Sequence, residues 1–369
     1  MQAVILVGGE GTRLRPLTSG IPKPIVTFVD RPFMAYMLQW LRGHGVDDVV
    51  MACGFLPDAV QAALGDGSDY GVRLTYLQEP EPRGTAGALK FAQDHLQERF
   101  LMLNGDVLTD VDVSAQIAQH ERTGATATLG LVPVTDPSAY GLVLTQDDGA
   151  VTGFLEKPGP DQLGGIDEYL ISAGIYVLER SVLDMIEPDQ NVSIETQVWP
   201  ALVGNGLYAS ADRSAYWLDI GTPQRYLQGT SDILAGNVTT QVLDRLTDGL
   251  AVTGDVADGA TVIAPAIVEA GATVAAGATV GPGAVIGAGA SVAAGATVER
   301  SIVLDGASVA ADAVVRDAIV APRATIGERT VVEQEAVLGE GTTVGADNVL
   351  SRGVKIFPGA TVGDGAVRF

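Results

Sequence analysis

GPGAVIGAGASVAAGATV, Gly281 to Val298, carries aliphatic residues at Ile286, Val292 and Val298 and fills the intervals mainly with glycine, alanine and serine. A period of six matches neither a helix face, which returns about every 3.6 residues, nor a flat strand, which alternates about every two. The beat extends outward in both directions. Val262, Val268, Val274 and Val280 precede it; a step of five leads to Val303, Val309 and Val315, and a second step of five to Val320. From there Ile326, Val332, Leu338, Val344, Leu350, Ile356 and Val362 keep the period of six. This register predicts a β-solenoid in which each hexapeptide makes a short strand and a turn, three close a triangular coil, and the branched aliphatics stack along the axis. A flexible Ala/Gly linker would not hold an aliphatic at every sixth position for so long.

Upstream of about Asn237 the rhythm is different. Ala3–Val7, Asp48–Cys53, Val72–Leu77 and Phe100–Leu103 read as strands, with helices between them at Phe33–Arg42, Asp58–Leu64 and Ala86–Arg99. Such alternation predicts a parallel sheet covered on both faces. After Ala125 the chain turns strand-rich, and Asp147-Asp148-Gly149 joins Leu142–Thr145 to Val151–Leu155 as a hairpin elaborating the same domain. Thr222-Pro223 reads as an N-cap with proline at the first helical position of a helix to about Leu234. The expected division is therefore 1–237 and 238–369.

With 369 residues, 47% of them hydrophobic, the chain can bury two cores. One cysteine, Cys53, lies within an apolar run and reads as a small buried side chain, which fits a reduced, cytoplasmic setting. The uncharged start, Met1-Gln2-Ala3, and an apolar run ending at Val7 do not resemble a secretory leader, and no stretch is long enough to cross a membrane. A net charge of −23 makes nucleic acid a poor partner, so an anionic substrate needs a local island of positive charge. The four lysines, Lys23, Lys90, Lys157 and Lys355, are informative for that reason.

The first strand runs into AVILVGGEGTRLRPLTSGIPKP, Ala3 to Pro24. A Walker-type phosphate loop needs lysine and then serine or threonine after its last glycine, whereas Thr12-Arg13 follows Gly11. A dinucleotide fingerprint has Asp30 at a suitable distance, but Leu14 replaces its third glycine and Pro16 falls in the first turns of its helix. What remains is a nucleoside triphosphate site of another kind. Backbone N–H groups of the glycines approach the phosphates, Arg13 offers a fork, and Lys23 adds a charge held between Pro22 and Pro24.

GGEGTRLRPLT with the following PKP resembles the signature of the sugar-nucleotide pyrophosphorylases, which join a nucleoside triphosphate to a sugar 1-phosphate. EPRGTAGAL (Glu79–Leu89), LNGDV (Leu103–Val107), AYG (Ala139–Gly141), EKP (Glu156–Pro158), SAGIYVL (Ser172–Leu178), SIE (Ser193–Glu195) and WLDIGTP (Trp217–Pro223) continue the likeness. With the hexapeptides behind them, they resemble most the guanylyltransferases of mannose 1-phosphate that carry a C-terminal β-helix. The fold this implies is α/β: a Rossmann-like three-layer nucleotidyltransferase domain, then a left-handed parallel β-helix.

The resemblance implies attack by a sugar phosphate oxygen on the nucleotide α-phosphorus, with pyrophosphate leaving in line. It assigns Leu6, Gly8, Gly9, Gly11, Thr12, Arg13, Glu79, Gly84 and Thr85 to the nucleotide, and Gly141, Glu156, Lys157, Ser172 and Gly174 to the sugar phosphate. Arg13 and Lys23 are the expected catalytic cations, and Asp106 and Asp219 the catalytic acids that hold Mg²⁺. Asp106 closes a parallel strand, where ligands gather in open α/β sheets; Asn104-Gly105-Asp106 alone would read equally as a turn. Ser172 stands where the family usually has asparagine, which leaves the sugar less defined.

Base choice turns on Glu79. A carboxylate only accepts, and guanine offers two adjacent donors where thymine and uracil offer one N–H between carbonyls. Gln78 is its neighbour on one strand, and only one of the two can face the base. If Gln78 points inward, a thymidylyl- or uridylyltransferase acting on glucose 1-phosphate becomes the reading. Two further alternatives stand: a solenoid acyltransferase, disfavoured because His44, His95 and His120 all precede the solenoid, and a non-catalytic relative that binds sugar nucleotide. Self-association through the solenoid is expected.

Overall fold

The structure is a computed structural model and describes residues 1–368. By internal contacts the chain divides into two compact units, one of residues 1–9 and 34–218, the other of residues 10–33 and 219–369.

The first unit is built on nine strands. These are β1 (Gln2–Val7), β2 (Asp48–Cys53), β3 (Arg73–Gln78), β4 (Arg99–Asn104), β5 (Ala127–Pro133), β6 (Gly141–Thr145), β7 (Val151–Glu156), β8 (Leu170–Glu179) and β9 (Leu207–Ala211). They form one sheet in the order β7-β6-β8-β4-β1-β2-β3, with β5 also on β8 and β9 on β5. β4, β1, β2 and β3 run parallel, and Val4 sits opposite both Val50 and Met102. The inner strands, buried on both faces, are near-continuous apolar runs such as AVILV in β1, whereas β3, RLTYLQ, stands at the edge and is more open. The predicted hairpin is present, β7 pairing antiparallel with β6. Helices α1 (Phe33–Gly43), α2 (Pro57–Leu64), α3 (Gly84–Phe91) and α4 (Val113–Thr123) lie between the strands. Asp112 caps α4 by accepting from Ala115 N at 3.0 Å.

One helix differs from expectation. In place of a single helix over Ala86–Arg99, α3 stops at Phe91, a 3₁₀ turn covers Gln93–His95, and Arg99 already belongs to β4. The chain must extend early because Phe100 pairs with Gln2 of β1, and the Gln2 side chain takes the N–H of Gln97 at 2.8 Å. Cys53 is buried, as expected, and its thiol is pushed up to about 12 by burial.

The second unit begins with residues 10–33, which contain 3₁₀ turns at Thr12–Leu14 and Lys23–Ile25 and a small ribbon pairing Thr27–Phe28 with Arg31–Pro32. Helix α5 (Pro223–Ala235) starts as predicted, with Thr222 Oγ1 accepting from Arg225 N at 3.3 Å. Phe28 packs edge-on against Tyr226 at 5.0 Å between ring centroids, and the Tyr226 hydroxyl donates to Thr27 O. Asp30, the residue a dinucleotide fingerprint would need for a ribose, is instead gripped by Arg31 and Arg245. Arg245 also binds Glu269 through two bonds of 2.8 and 2.9 Å.

The hexapeptides form a β-helix of three parallel sheets with seven, seven and six strands. The solenoid starts earlier than the first counted valine: Leu250–Val252 pairs with Ala266–Val268, and Asp255–Val256 with Thr273–Val274. Leu250 and Val256 keep the period, but polar neighbours such as Thr253, Asp255 and Asp258 disguise it. The two five-residue steps fall on stacked corners. Arg300 and Asp317, both at positive φ, are 17 residues apart and joined by bonds of 2.7 and 2.9 Å.

Candidate active site

Within the second unit the signature loop folds on itself. Gly11 has φ 62°, a conformation a side chain would strain, and a Cβ there would meet Lys23 Cβ and Thr18 Cγ2 at 3.2 Å. Thr18 Oγ1 fixes the turn by donating to Gly11 O at 2.8 Å. Lys23 is buried to 8% exposure between buried Pro22 and Pro24, so its stem is held while the more open Thr12 and Arg13 face outward. The Arg13 guanidinium rests against Gly221: a Cβ on that glycine would lie 2.9 Å from Arg13 Nη2 and 3.0 Å from Asp219 Oδ2. Arg13 and Asp219 thus flank the same glycine. Asp219 in turn is ion-paired with Arg225 in the first turn of α5.

The first unit sets Gly8, Glu79 and Asp106 at the carboxyl ends of its parallel strands, where β1 and β4 stop and glycine lets the backbones close up. Gly105 N donates to Leu6 O at 3.0 Å, and a Cβ on Gly105 would come within 2.6 Å of Val7 Cγ1. Asp106 follows directly, half-buried. Glu79, just beyond β3, is 7% exposed and looks towards the loop, since a Cβ on Gly8 would sit 3.7 Å from its Oε1. Gln78 is exposed. Burial holds the Glu79 carboxyl above its usual range, partly offset by the Arg83 backbone and side chain. Gly9 has open space above it: a Cβ there would meet no atom within 4 Å.

Gly84 and Thr85 open α3 against the segment Asn191–Glu195. The Thr85 hydroxyl donates to Glu195 Oε2 at 2.8 Å and accepts from Ile194 N at 2.8 Å, and Ser193 Oγ also donates to Glu195 Oε2 at 2.8 Å. Glu195 is thus a positioning group for Thr85 that the SIE motif contained without revealing.

The sugar-side candidates lie on β6, β7 and β8. Glu156 ends β7 opposite Gly141, and a Cβ on Gly141 would meet Glu156 Oε2 at 3.1 Å and Phe154 Cζ at 2.5 Å. Lys157 Nζ stands 3.5 Å from Glu156 Oε1, with 66% of the lysine side chain exposed. Ser172 Oγ and the buried Tyr176 hydroxyl are 2.9 Å apart, and burial pushes that phenol upward. Gly174 sits in an irregularity of β8 at φ 71°, where a Cβ would be 2.8 Å from Asn104 Nδ2. Trp217 Nε1 donates to Ala173 O at 2.8 Å, tying the WLDIGTP stretch to this strand.

Sequence reasoning missed Arg225 and Glu195, whose roles depend on partners distant in pattern if not in chain. The signal for Arg225 was its place one turn after the Thr222 cap. Among the described residues no cluster of three or more His, Cys, Asp or Glu forms a self-sufficient metal cage. No helix of the described residues is long and apolar enough to cross a membrane.

Comparison with known proteins bears on this arrangement. The family model for nucleotidyl transferases matches residues 2–236, and that for the GMPPB C-terminal domain matches residues 262–367. A mannose-1-phosphate guanylyltransferase of Mycobacterium tuberculosis is 37% identical over 71% of this chain and 75% of its own length. A mannose-1-phosphate guanyltransferase of Schizosaccharomyces pombe is 40% identical over 62% of this chain and 63% of its own. The crystal structure of HddC from Yersinia pseudotuberculosis complexed with GMP-PN superposes with a TM-score of 0.53 at 27% identity, covering 62% of this chain and 96% of that one. The chain is therefore a member of the nucleotidyl transferase family, with a hexapeptide region that matches the GMPPB C-terminal domain.

Proposed function

We propose that the chain transfers a guanylyl group from GTP to mannose 1-phosphate, giving GDP-mannose and pyrophosphate. The observation that carries the base assignment is the contrast on one strand end: Glu79 is buried and directed at the glycine loop while Gln78 is exposed. A carboxylate there accepts from N1–H and N2–H₂ of guanine, and it would repel the carbonyls of thymine or uracil. The relatives named above support the same pair of substrates.

Both reactants are anions, so the protein's task is to neutralise and align them. Arg13, with no ion-pair partner among the described residues, serves the β- and γ-phosphates and the leaving pyrophosphate. Lys23, its stem fixed by two prolines, serves the α-phosphate and the incoming phosphate. The loop amides from Gly8 to Thr12, with Leu6, Gly84 and Thr85, complete the nucleotide's cradle. Lys157 takes the sugar phosphate, Glu156 accepts from sugar hydroxyls, and Gly141, Ser172 and Gly174 admit the ring. The donor set fits Mg²⁺, a hard cation that is commonly held by one or two carboxylates and completes its shell with water and phosphate oxygens. Asp106 and Asp219 would hold it, with Arg225 orienting Asp219. When bound it supplies charge compensation for the phosphates.

In this reading residues 1–237 form the nucleotidyltransferase domain and 238–369 a β-helix domain serving self-association, in the cytoplasm, without nucleic acid or membrane as partner. The test is a matrix of nucleoside triphosphates against mannose-, glucose- and N-acetylglucosamine 1-phosphate, following pyrophosphate. GTP with mannose 1-phosphate should give the highest kcat/KM, and EDTA should abolish it. Preference for dTTP or UTP with glucose 1-phosphate would overturn the substrate assignment. Arg13→Ala should lower turnover about 100-fold, the scale of losing one preorganised charge contact.

A further inference from the structure

The solenoid has a single lysine, Lys355, on the strand Lys355–Ile356 that pairs with Val337–Leu338. Its ammonium donates to the backbone carbonyl of Arg13 at 3.4 Å, linking residues 342 apart in sequence within the same compact unit. At that length the bond is weak by itself. Its setting gives it weight. The Arg13 carbonyl has no backbone partner among the described residues, because the N–H groups of Leu14 and Arg15 close the turn on Gly11 O and Thr12 O. Neither Lys355 nor Arg13 has an ion-pair partner among the described residues, although the chain holds 45 acidic side chains against 22 basic ones. Other arginines of this unit are committed: Arg15 to Glu10, Arg225 to Asp219, and Arg245 to Asp30 and Glu269. One such cation on the turn and another reaching it leave that turn positive in an acidic protein, which suits an incoming polyanion.

We propose that Lys355 is a positioning residue for the phosphate-binding turn: from the far end of the solenoid it holds the Arg13 carbonyl and adds its charge to the field met by the triphosphate. This rests on the nucleotidyltransferase reading above. It gives the β-helix a part in the reaction beyond assembly, and makes the placement of Arg13 depend on a coil that lies 342 residues further along the chain.

The test uses the full chain as wild type, Lys355→Ala and Lys355→Arg. Two readouts are compared: hydrogen exchange of the peptide spanning residues 8–25 without substrate, and the KM for GTP against kcat. Lys355→Ala should exchange faster in that peptide and raise KM about threefold to tenfold with kcat within about twofold, the loss of one charged hydrogen bond, and Lys355→Arg should restore both. Unchanged exchange, or an unchanged KM, in a Lys355→Ala protein with wild-type circular dichroism and size would overturn the proposal. A variant that misfolds is replaced by Lys355→Gln, which is judged by the same criteria. If wild type turns over none of the nucleotides, the functional reading fails separately and the exchange comparison alone decides the positioning role.

Discussion

The two cores of this molecule bury apolar surface in different ways. In the sheet unit, Phe100, Tyr176 and Trp199 interlock with leucines and valines brought from many strands, and the Tyr176 and Trp199 rings meet at a tilt with centroids 5.1 Å apart. In the solenoid the apolar core is alanine, valine, isoleucine and leucine, repeated from coil to coil. The first core is a three-dimensional jigsaw in which each piece is unlike its neighbours. The second is a stack whose pieces meet only the adjoining coil. Unlike pieces create the irregular, half-buried corners where chemistry can be held, and the stack offers length and stiffness. The contrast teaches where a titratable group can be buried: His120 lies inside the jigsaw, while the stack's charges, such as Arg329 with Glu328 and Asp347, lie on its outside.

The sharpest way to break this comparison is to remove bulk from each core. Phe100→Ala should cost about 3–5 kcal/mol and shift the whole transition of the sheet unit, read by urea unfolding. Val298→Ala should cost only about 2 kcal/mol, and hydrogen exchange should rise in the coils next to it and not along the full solenoid. A solenoid that melts as one block on this substitution would refute the nearest-neighbour picture. Smaller still is the effect on base selection. Glu79→Gln should reduce the preference for GTP over UTP about tenfold, measured as a ratio of kcat/KM values, with circular dichroism unchanged.

The smallest effect concerns pH. His120 is fully buried in the sheet unit, its Nδ1 2.9 Å from Thr128 Oγ1 and its Nε2 3.0 Å from Glu179 Oε1. Burial holds its pKa below the usual histidine value, against a partial opposing pull from Glu179. The unfolded chain therefore takes up a proton first as pH falls. Stability contributed by this group is complete above the unfolded value of 6.5 and is lost as pH drops below it towards the folded value. His120→Gln should flatten stability against pH across that window, whereas the solenoid, which has no histidine, should show no such slope.

Much of this is legible in the chain itself, for reasons that differ between the halves. The solenoid announces itself because a one-dimensional stack must repeat its side chains, and only Leu250 and Val256, wrapped in polar neighbours, escape the count. The inner parallel strands β1, β2 and β4 are readable because burial on both faces makes them largely apolar. The helix before β4 reads too long, since the constraint that ends it is the pairing of Phe100 with Gln2, a long-range register that local propensity does not carry. Candidate residues in glycine-rich stretches stand out in the sequence for a related reason, as a backbone that must approach closely limits its own composition. The pairing of Arg225 with Asp219, the hold of Glu195 on Thr85 and the reach of Lys355 to Arg13 are not readable, because each is an ordinary polar residue whose meaning lies in what the fold sets beside it.

The stacked corners at Arg300 and Asp317 have a consequence for how such a tube can change length. Ser291 pairs with Ser308 and Ser308 with Thr325 at intervals of 17, whereas Thr273 to Ser291 and Thr325 to Thr343 are intervals of 18. Between Ala266 and the notch, and again beyond it, duplicating or excising an 18-residue unit leaves the ladders in phase, but at this notch the interchangeable unit is one residue shorter. The tube thus carries an index mark along one edge, and recombination between such proteins would have to respect it.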